Sequence, residues 1–161
     1  MLMTIKQSLE KNLPSIIEKG YCQTCYYFKI ISTRKPLFKG FFSPEIYKKI
    51  LANEEILTNL KLDALQREHF AKALPKAELT KTGVALPANQ ESWIILNSFY
   101  YQVKYSAKLA VELVETIAHE VAHAVLFNID IWRGHDFPHA EITKYLRDYY
   151  LNNYDWEKML K

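Results

Sequence analysis

The segment from Ser106 to Asn128 constrains the fold more than any other part of the sequence, because it contains neither glycine nor proline. Its apolar residues recur every three or four positions, which is typical of one long amphipathic helix. We therefore expect a helix here whose broad apolar face is buried. That face comprises Leu109, Ala110, Leu113, Val114, Ile117, Ala118, Val121, Ala122 and Val125.

A polar line runs through this helix, and we expect it to face a cleft. It includes the motif H-E-x-x-H, which spans His119 to His123. Helix residues four apart lie on the same face, at a rise of about 1.5 Å per residue, so the two imidazoles could hold one metal ion. Glu120 would then lie beside an open metal position, where its carboxylate could act as a general base. Two hydrogen-bonded core histidines are the alternative interpretation. The line comprises Glu112, Thr116, His119, Glu120, His123 and Phe127.

A catalytic zinc ion takes three protein ligands and one water, so a third ligand must come from elsewhere. His135 is the preferred candidate, because Gly134 can bend the chain just before it and Pro138 suits the first turn of a following helix. A loop histidine held there could lie over the first pair. His139 and Glu141 are the main alternatives, and Asp130 and Asp136 are the other downstream candidates.

Three segments in this order resemble the SprT-like metallopeptidases, the family that includes the Spartan proteases. They are Glu91 to Asn97 (E-S-W-I-I-L-N), Thr116 to Phe127 (T-I-A-H-E-V-A-H-A-V-L-F) and Arg133 to His135 (R-G-H). In that family a short strand ending in Leu-Asn precedes the metal helix, and a histidine in a Gly-His segment completes the ligand set. The resemblance covers Gly83 to Tyr145. It implies that His119, His123 and His135 bind zinc (Zn²⁺) and that Glu120 is the general base.

The sequence therefore predicts a zinc metalloprotease, an endopeptidase that hydrolyses a protein or peptide substrate by Glu120-assisted attack of zinc-bound water. A tyrosine near the helix could stabilise the oxyanion, and the candidates are Tyr100, Tyr101 and Tyr105. Two alternatives stay open. One is another small H-E-x-x-H zinc hydrolase with an acidic third ligand, Glu141 or Asp136. The other is a non-catalytic zinc-binding interaction domain.

Length and composition predict one domain over residues 1–161, and the predicted helices and strands, with the resemblance, make it α+β. The chain is 49% apolar and 24% charged, which is ordinary for a globular protein large enough to bury a core. We divide it into a mainly helical part at 1–75 and a compact zincin-like core at 76–161, with a small sheet packed on the helices. Val84 to Leu86 and Trp93 to Leu96 are predicted strands, and the second is our candidate for a free edge that pairs with substrate. A buried core strand is the alternative.

The rest of the chain yields a coarse prediction of secondary structure. Thr4 and Gln7 have the spacing of a capping box, and Ser43 followed by Pro44 marks another helix start. The aromatic run after Gly20 favours a strand. The predicted elements are a helix at Thr4 to Lys19, a strand at Tyr21 to Ser32, a loop at Lys35 to Phe42, a helix at Ile46 to Ala52, a helix at Glu54 to Leu74, a helix at Pro138 to Asn152 and a turn at Asp155 to Leu160.

Targeting and charge point to a cytoplasmic protein. No apolar stretch approaches the roughly 20 residues that span a bilayer, and charges interrupt the first 20 residues, so we expect no membrane partner and no secretory signal. Export by a non-classical route would leave no trace in these patterns.

Cys22 and Cys25 are expected to be ordinary thiols. The net charge of +3 is mild, and we interpret the N-terminal lysines as solvated surface in preference to a DNA-binding site. The sequence does not predict the oligomeric state.

Overall fold

The helix predicted over Ser106 to Asn128 is present and lies at the centre of the structure, a computed structural model that describes residues 3–131 and 134–161. It is α7 (Ala107–Phe127), and the hydroxyl of Ser106 caps it by accepting a hydrogen bond from the Leu109 amide at 3.0 Å. Its apolar face is buried, as the periodicity predicts. Helices cover this face on one side and a sheet covers it on the other.

The described residues form an α+β fold, as predicted. The helices that precede the central one are α1 (Ile5–Phe28), α2 (Pro44–Leu51), α3 (Glu54–Asn59), α4 (Ala64–Ala73), a 3₁₀ turn (Leu74–Lys76), α5 (Ala77–Thr80) and α6 (Phe99–Gln102). Those that follow it are α8 (Phe137–Asn153) and α9 (Trp156–Leu160), and the strands are β1 (Lys35–Phe41), β2 (Gly83–Ala88) and β3 (Glu91–Leu96). No helix within these residues is long and apolar enough to cross a membrane.

The sheet has the strand order β1-β3-β2, with β1 parallel and β2 antiparallel to β3. The prediction that Trp93 to Leu96 is a free edge is therefore wrong, because β3 is the central strand and hydrogen-bonds to a neighbour on each side. Its side chains from Ser92 to Leu96 are all buried. A nearly continuous apolar run is typical of such a strand, since both of its faces are covered. The strand edge next to α7 belongs to β2.

Helix α1 continues far beyond Lys19, so the strand predicted at Tyr21 to Ser32 is wrong. Tyr21, Thr24 and Cys25 are buried because they continue the three-to-four-residue spacing of the buried residues before them. β-Propensity depends on packing context, and here packing against α7, α8 and β1 prevails. The helix ends at Lys29, which adopts the left-handed conformation with φ 57°.

The predicted loop at Lys35 to Phe42 is wrong as well, because Lys35–Phe41 forms β1. Pro36 is the second residue of this strand, and it is tolerated there because β1 is an outer strand, where a missing backbone donor does not break the sheet. The single helix predicted at Glu54 to Leu74 is two helices, α3 and α4. Lys61 between them has a φ of 56°, and Asp63 and Gln66 form a new capping box.

The remaining helix predictions agree closely with the structure. Thr4 and Gln7 form the predicted capping box, and Ser43 caps α2. Helix α8 begins one residue before Pro138, and α9 corresponds to the predicted turn. The division at residue 75 stays a prediction, although β1 from the first part pairs with β3 from the second. Cys22 and Cys25 lie on α1 as free thiols.

Candidate metal centre and cleft

Four histidines come together where α7 meets the start of α8. His119 and His123 lie one turn apart on α7, His135 precedes α8, and His139 lies in the first turn of α8. One ring nitrogen from each lies within 4.8 Å of the others, so the cluster could hold a metal ion. His69, on α4, is the remaining histidine of the five in the sequence, and it is exposed.

The spacing inside the cluster suits a small ion. The Nε2 atoms of His123 and His135 lie 3.2 Å apart. Two ligands of a tetrahedral zinc ion with Zn–N bonds of about 2.0–2.1 Å lie about 3.3–3.4 Å apart, so these two nitrogens are already separated as two ligands of one ion would be. The geometry therefore fits a shared metal.

Local structure explains how the second pair of histidines reaches the first. Gly134 has a φ of 102°, a conformation that favours glycine and turns the chain immediately before His135. Pro138 occupies the first turn of α8, where its fixed φ favours helix initiation. Helix α8 packs closely along α7, and His139 Nε2 donates a hydrogen bond to the backbone carbonyl oxygen of His119 at 3.0 Å.

The structure brings together the three predicted ligands, His119, His123 and His135, together with His139. The acidic candidates Asp130, Asp136 and Glu141 are not members of the cluster. Arg133, the first residue of the R-G-H motif, lies outside the described residues. His139 was an alternative third ligand at the sequence level. Its membership alongside His135 depends on the packing of α8 against α7, which spacing alone does not reveal.

The cleft keeps His119, His123 and His139 neutral near pH 7. Burial, and then the neighbouring imidazoles, lower the pKa of His119 to about 4 and the pKa of His123 to about 3. Burial also lowers the pKa of His139. Metal ions bind the unprotonated imidazole, so neutral rings present the nitrogen lone pairs that an ion requires.

Glu120 is a buried carboxylate with an unused oxygen. The residue is 5% exposed, and its Oε2 has no hydrogen-bond partner in the part of the chain that the structure describes. Its Oε1 lies 4.0 Å from His119 Nε2. Burial raises the pKa of Glu120 to about 7, while the positive charge of Lys81 opposes this rise. Buried polar atoms without partners are costly, and they occur where an ion, a water or a reacting group completes the site.

The cluster opens into a cleft of about 710 Å³, a volume in the range of ligand-binding pockets. One wall is the predicted polar line of α7, and all six of its members from Glu112 to Phe127 line the cleft. The opposite wall is the segment from Thr80 to Ala85, which leads into β2. The sequence-level prediction of a cleft along this face of α7 is confirmed.

Gly83 allows β2 to pass close to α7 at the level of Glu120. A Cβ atom at this position would lie 3.0 Å from Thr116 Cγ2 and 3.2 Å from Glu120 Cγ. Both distances are shorter than ordinary van der Waals contact, so a side chain here would displace Glu120 or the strand. The glycine therefore fixes the narrow gap between the carboxylate and the strand edge.

The sequence did not reveal the residues that hold the strand side of the cleft in place. Asn97 Nδ2 donates to the carbonyl oxygens of Glu78 at 2.9 Å and Lys81 at 2.8 Å, which fixes the segment before β2. Thr116 Oγ1 donates to Thr82 Oγ1 at 3.2 Å. The only hint was the Leu-Asn ending of the strand before α7, which did not specify these partners.

Of the three candidate tyrosines, Tyr100 lines the cleft, whereas Tyr101 and Tyr105 are not among its lining residues. The Tyr100 hydroxyl lies 2.6 Å from Thr116 Oγ1, in a buried hydrogen bond. Burial raises the pKa of Tyr100. The hydrogen bond to Thr116 therefore fixes the position of the Tyr100 phenol in the wall of the cleft. A role in stabilising an oxyanion stays a prediction.

The free energy of unfolding of the metal-free protein is expected to decrease as the pH falls from 7 to 5. His119 and His123 have folded-state pKa values below the ordinary 6.5. As the pH falls, these histidines are therefore protonated in the unfolded chain before they are protonated in the folded protein, and this protonation stabilises the unfolded state. Glu120 acts in the opposite direction, because its raised pKa removes stability as the pH rises from 4.5 to 7. Urea titrations at several pH values should show a steeper decrease in the Glu120→Gln variant. A free energy independent of pH in that variant would contradict the prediction.

Comparisons of the chain with protein-family models, with curated proteins and with solved structures found no match.

Proposed function

We propose that the protein is a zinc-dependent endopeptidase. The observation that carries this proposal is the position of Glu120, a buried carboxylate that lies beside a histidine cluster and lines the same cleft. A metal site, a base of near-neutral pKa and an open groove are together what metal-assisted hydrolysis requires. In the same proposal, the fold is zincin-like and the chain is SprT-like, on the strength of the order and spacing of its motifs.

His119, His123 and His135 would hold the ion. Zinc in such a site supplies Lewis acidity, which activates water and polarises a carbonyl group at neutral pH. Imidazole is also a preferred ligand type for zinc. His119 and His123 are half-buried, His135 is exposed, and all three line the cleft, so substrate can approach them.

Glu120 would act as the general base. Its side chain packs against β2 at Gly83, where an added Cβ atom would lie 3.2 Å from Glu120 Cγ. Burial raises its pKa to about 7, where a carboxylate can both accept a proton and release it. In the proposed reaction Glu120 takes a proton from the attacking water and then delivers it to the leaving amine nitrogen.

The outer edge of β2 would bind the substrate. Gly83, Val84 and Ala85 line the cleft, and β2 is paired only with β3 in the described sheet. An extended peptide can add to such an edge through main-chain hydrogen bonds, with its alternate side chains facing the cleft. This arrangement would present a peptide bond to the histidine cluster within the cleft. Because main-chain hydrogen bonds dominate, the substrate is expected to be an unfolded or extended protein segment.

A non-catalytic zinc-binding domain is the second candidate, and the presence of His139 in the cluster favours it. Structural zinc sites have four protein ligands, whereas catalytic sites keep one position open. Four histidines are within reach of one ion here. The two candidates therefore differ in whether water can reach the ion.

Incubation of the zinc-loaded protein with a panel of unfolded and folded proteins tests the proposal. The panel should include the protein itself and a DNA-binding protein, each with and without single-stranded DNA. We expect cleavage of extended segments, measured as new N-termini by mass spectrometry, and its loss after chelation of zinc. Stimulation by DNA would assign the chain to the Spartan branch. If no substrate is cleaved with zinc present, the non-catalytic candidate replaces the peptidase.

A further inference from the structure

We propose that His139 is a fourth metal ligand, so that the metal centre has a closed state in which four imidazoles leave no position for water. This proposal rests on the metal binding that the proposed function requires, but it does not depend on peptidase activity. It assigns His139 a role beyond the three-histidine set.

Proximity is the first argument. The ring centroid of His139 lies 4.2 Å from that of His123, 4.6 Å from that of His119 and 5.0 Å from that of His135. These separations are no longer than the 5.0 Å between the rings of His119 and His123, the H-E-x-x-H pair itself. His139 is thus as close to each member of the predicted ligand set as those members are to one another.

The hydrogen bonds of His139 give the second argument. Its Nε2 faces a carbonyl oxygen, which can only accept, so this nitrogen carries the proton. In the neutral ring the other nitrogen, Nδ1, then keeps its lone pair. Metal-bound histidines commonly donate their second nitrogen to a carbonyl in this way. Nδ1 then accepts a long hydrogen bond from the Thr143 hydroxyl at 3.5 Å, which a metal ion would have to replace.

Burial gives the third argument. His139 is 3% exposed, and it is buried among residues of α7 and α8, whereas His135 is exposed. Helix packing already holds this buried imidazole, so the side chain loses little additional conformational entropy when it binds an ion. Water must displace this pre-positioned ring to reach the ion. A closed centre would therefore limit hydrolysis until His139 or His135 is released.

Counting the imidazole ligands tests the proposal directly. X-ray absorption spectra of the protein loaded with one equivalent of Zn²⁺ or Co²⁺ should show four imidazoles in the wild type. His139→Gln keeps an amide nitrogen that can donate to the His119 carbonyl but removes the ligand, so it should show three imidazoles and one oxygen. His69→Gln, at the exposed histidine outside the cluster, is the matched control and should show four. We expect His139→Gln to weaken metal binding by more than about 100-fold, because loss of groups that merely support metal ligands already costs about 10–100-fold.

Three imidazoles and one oxygen in the wild type would overturn the proposal, and this count does not require any variant to fold. An unchanged count in a folded His139→Gln variant would overturn it as well, and any loss of metal affinity would then come from the hydrogen bond alone. The proposed function has a separate readout. If His139→Gln shows an open position yet cleaves no protein, the peptidase proposal fails while the four-histidine centre stands.

Discussion

Replacement of Glu120 by Gln is expected to lower the rate of peptide hydrolysis by about 10²–10⁴-fold while the protein keeps its zinc, since general acid–base groups contribute rates of this order. Gln has nearly the shape of Glu but cannot accept the proton of the attacking water. The Glu120 side chain lies beside the histidine cluster and is not one of its members, so the ligand set is unchanged. The measurements are kcat and KM on a cleaved substrate, together with the zinc content.

The same variant has a second readout that activity alone would not provide. Because the pKa of Glu120 is raised to about 7, ionisation of its buried carboxylate lowers the free energy of unfolding as the pH rises through about 7. The metal-free Glu120→Gln protein should therefore unfold at a higher temperature than the wild type at pH 8. Glu115→Gln is the matched control, because Glu115 lies on α7, lines the same cleft and is exposed. It should change neither turnover nor Tm appreciably. Undiminished turnover in Glu120→Gln would contradict the proposed mechanism.

Removal of any of His119, His123 and His135 is expected to weaken zinc binding by more than about 100-fold. Loss of groups that merely support metal ligands costs about 10–100-fold, so loss of a ligand should cost more. The three Ala variants should be compared by competition with a chelator of known affinity. His69→Ala serves as the control, because it removes an exposed histidine from α4 and leaves the cluster intact.

The choice of third ligand is decided by a further comparison within the same series. Glu141→Ala and Asp136→Ala should leave zinc affinity within a few-fold of the wild type, because neither carboxylate belongs to the cluster. His135→Ala should not. If His135→Ala retained its zinc and Glu141→Ala lost it, the ligand set would be that of a hydrolase with an acidic third ligand.

The parts of the fold that the sequence predicted well are those in which local signals agree. Helix α7 combines strong periodicity with the Ser106 cap, and its bounds agree with the prediction to within a residue. Strands β2 and β3 also occur where they were expected, on either side of a short turn. In these segments propensity, patterning and turn chemistry all favour the same structure.

The errors occurred where packing between distant segments decides the structure. The aromatic residues after Gly20 favour a strand by propensity, yet packing against α7 and α8 keeps them in α1. Gly20 itself lies against the ring of Tyr150 on α8, where any side chain would overlap the ring. The pairing partners of β3 likewise depend on β1, which lies far away in the sequence. No local pattern specifies such partners.

The candidate site shows the same distinction. The pair His119 and His123 and the adjacent Glu120 follow from helix periodicity alone, and the Gly-His spacing suggested His135. The place of His139 required knowledge of how α8 crosses α7. The strand that faces the cleft was misassigned, because a run of apolar residues does not show which of two neighbouring strands is covered on both sides.

The hydrogen bonds of Asn128, the residue that ends α7, have a consequence for the order of folding. Its Oδ1 accepts from the backbone amides of Thr33 at 2.8 Å and Arg34 at 2.9 Å, and its Nδ2 donates to the hydroxyl of Tyr21 at 2.8 Å. The helix that carries His119 and His123 is thus hydrogen-bonded to α1 and to the segment before β1, across a large sequence separation. Contacts of this kind form slowly, because the intervening chain must first be brought together. During synthesis these hydrogen bonds can form only after the segment that includes Asn128 has left the ribosome, so α1 is made well before its partner on α7.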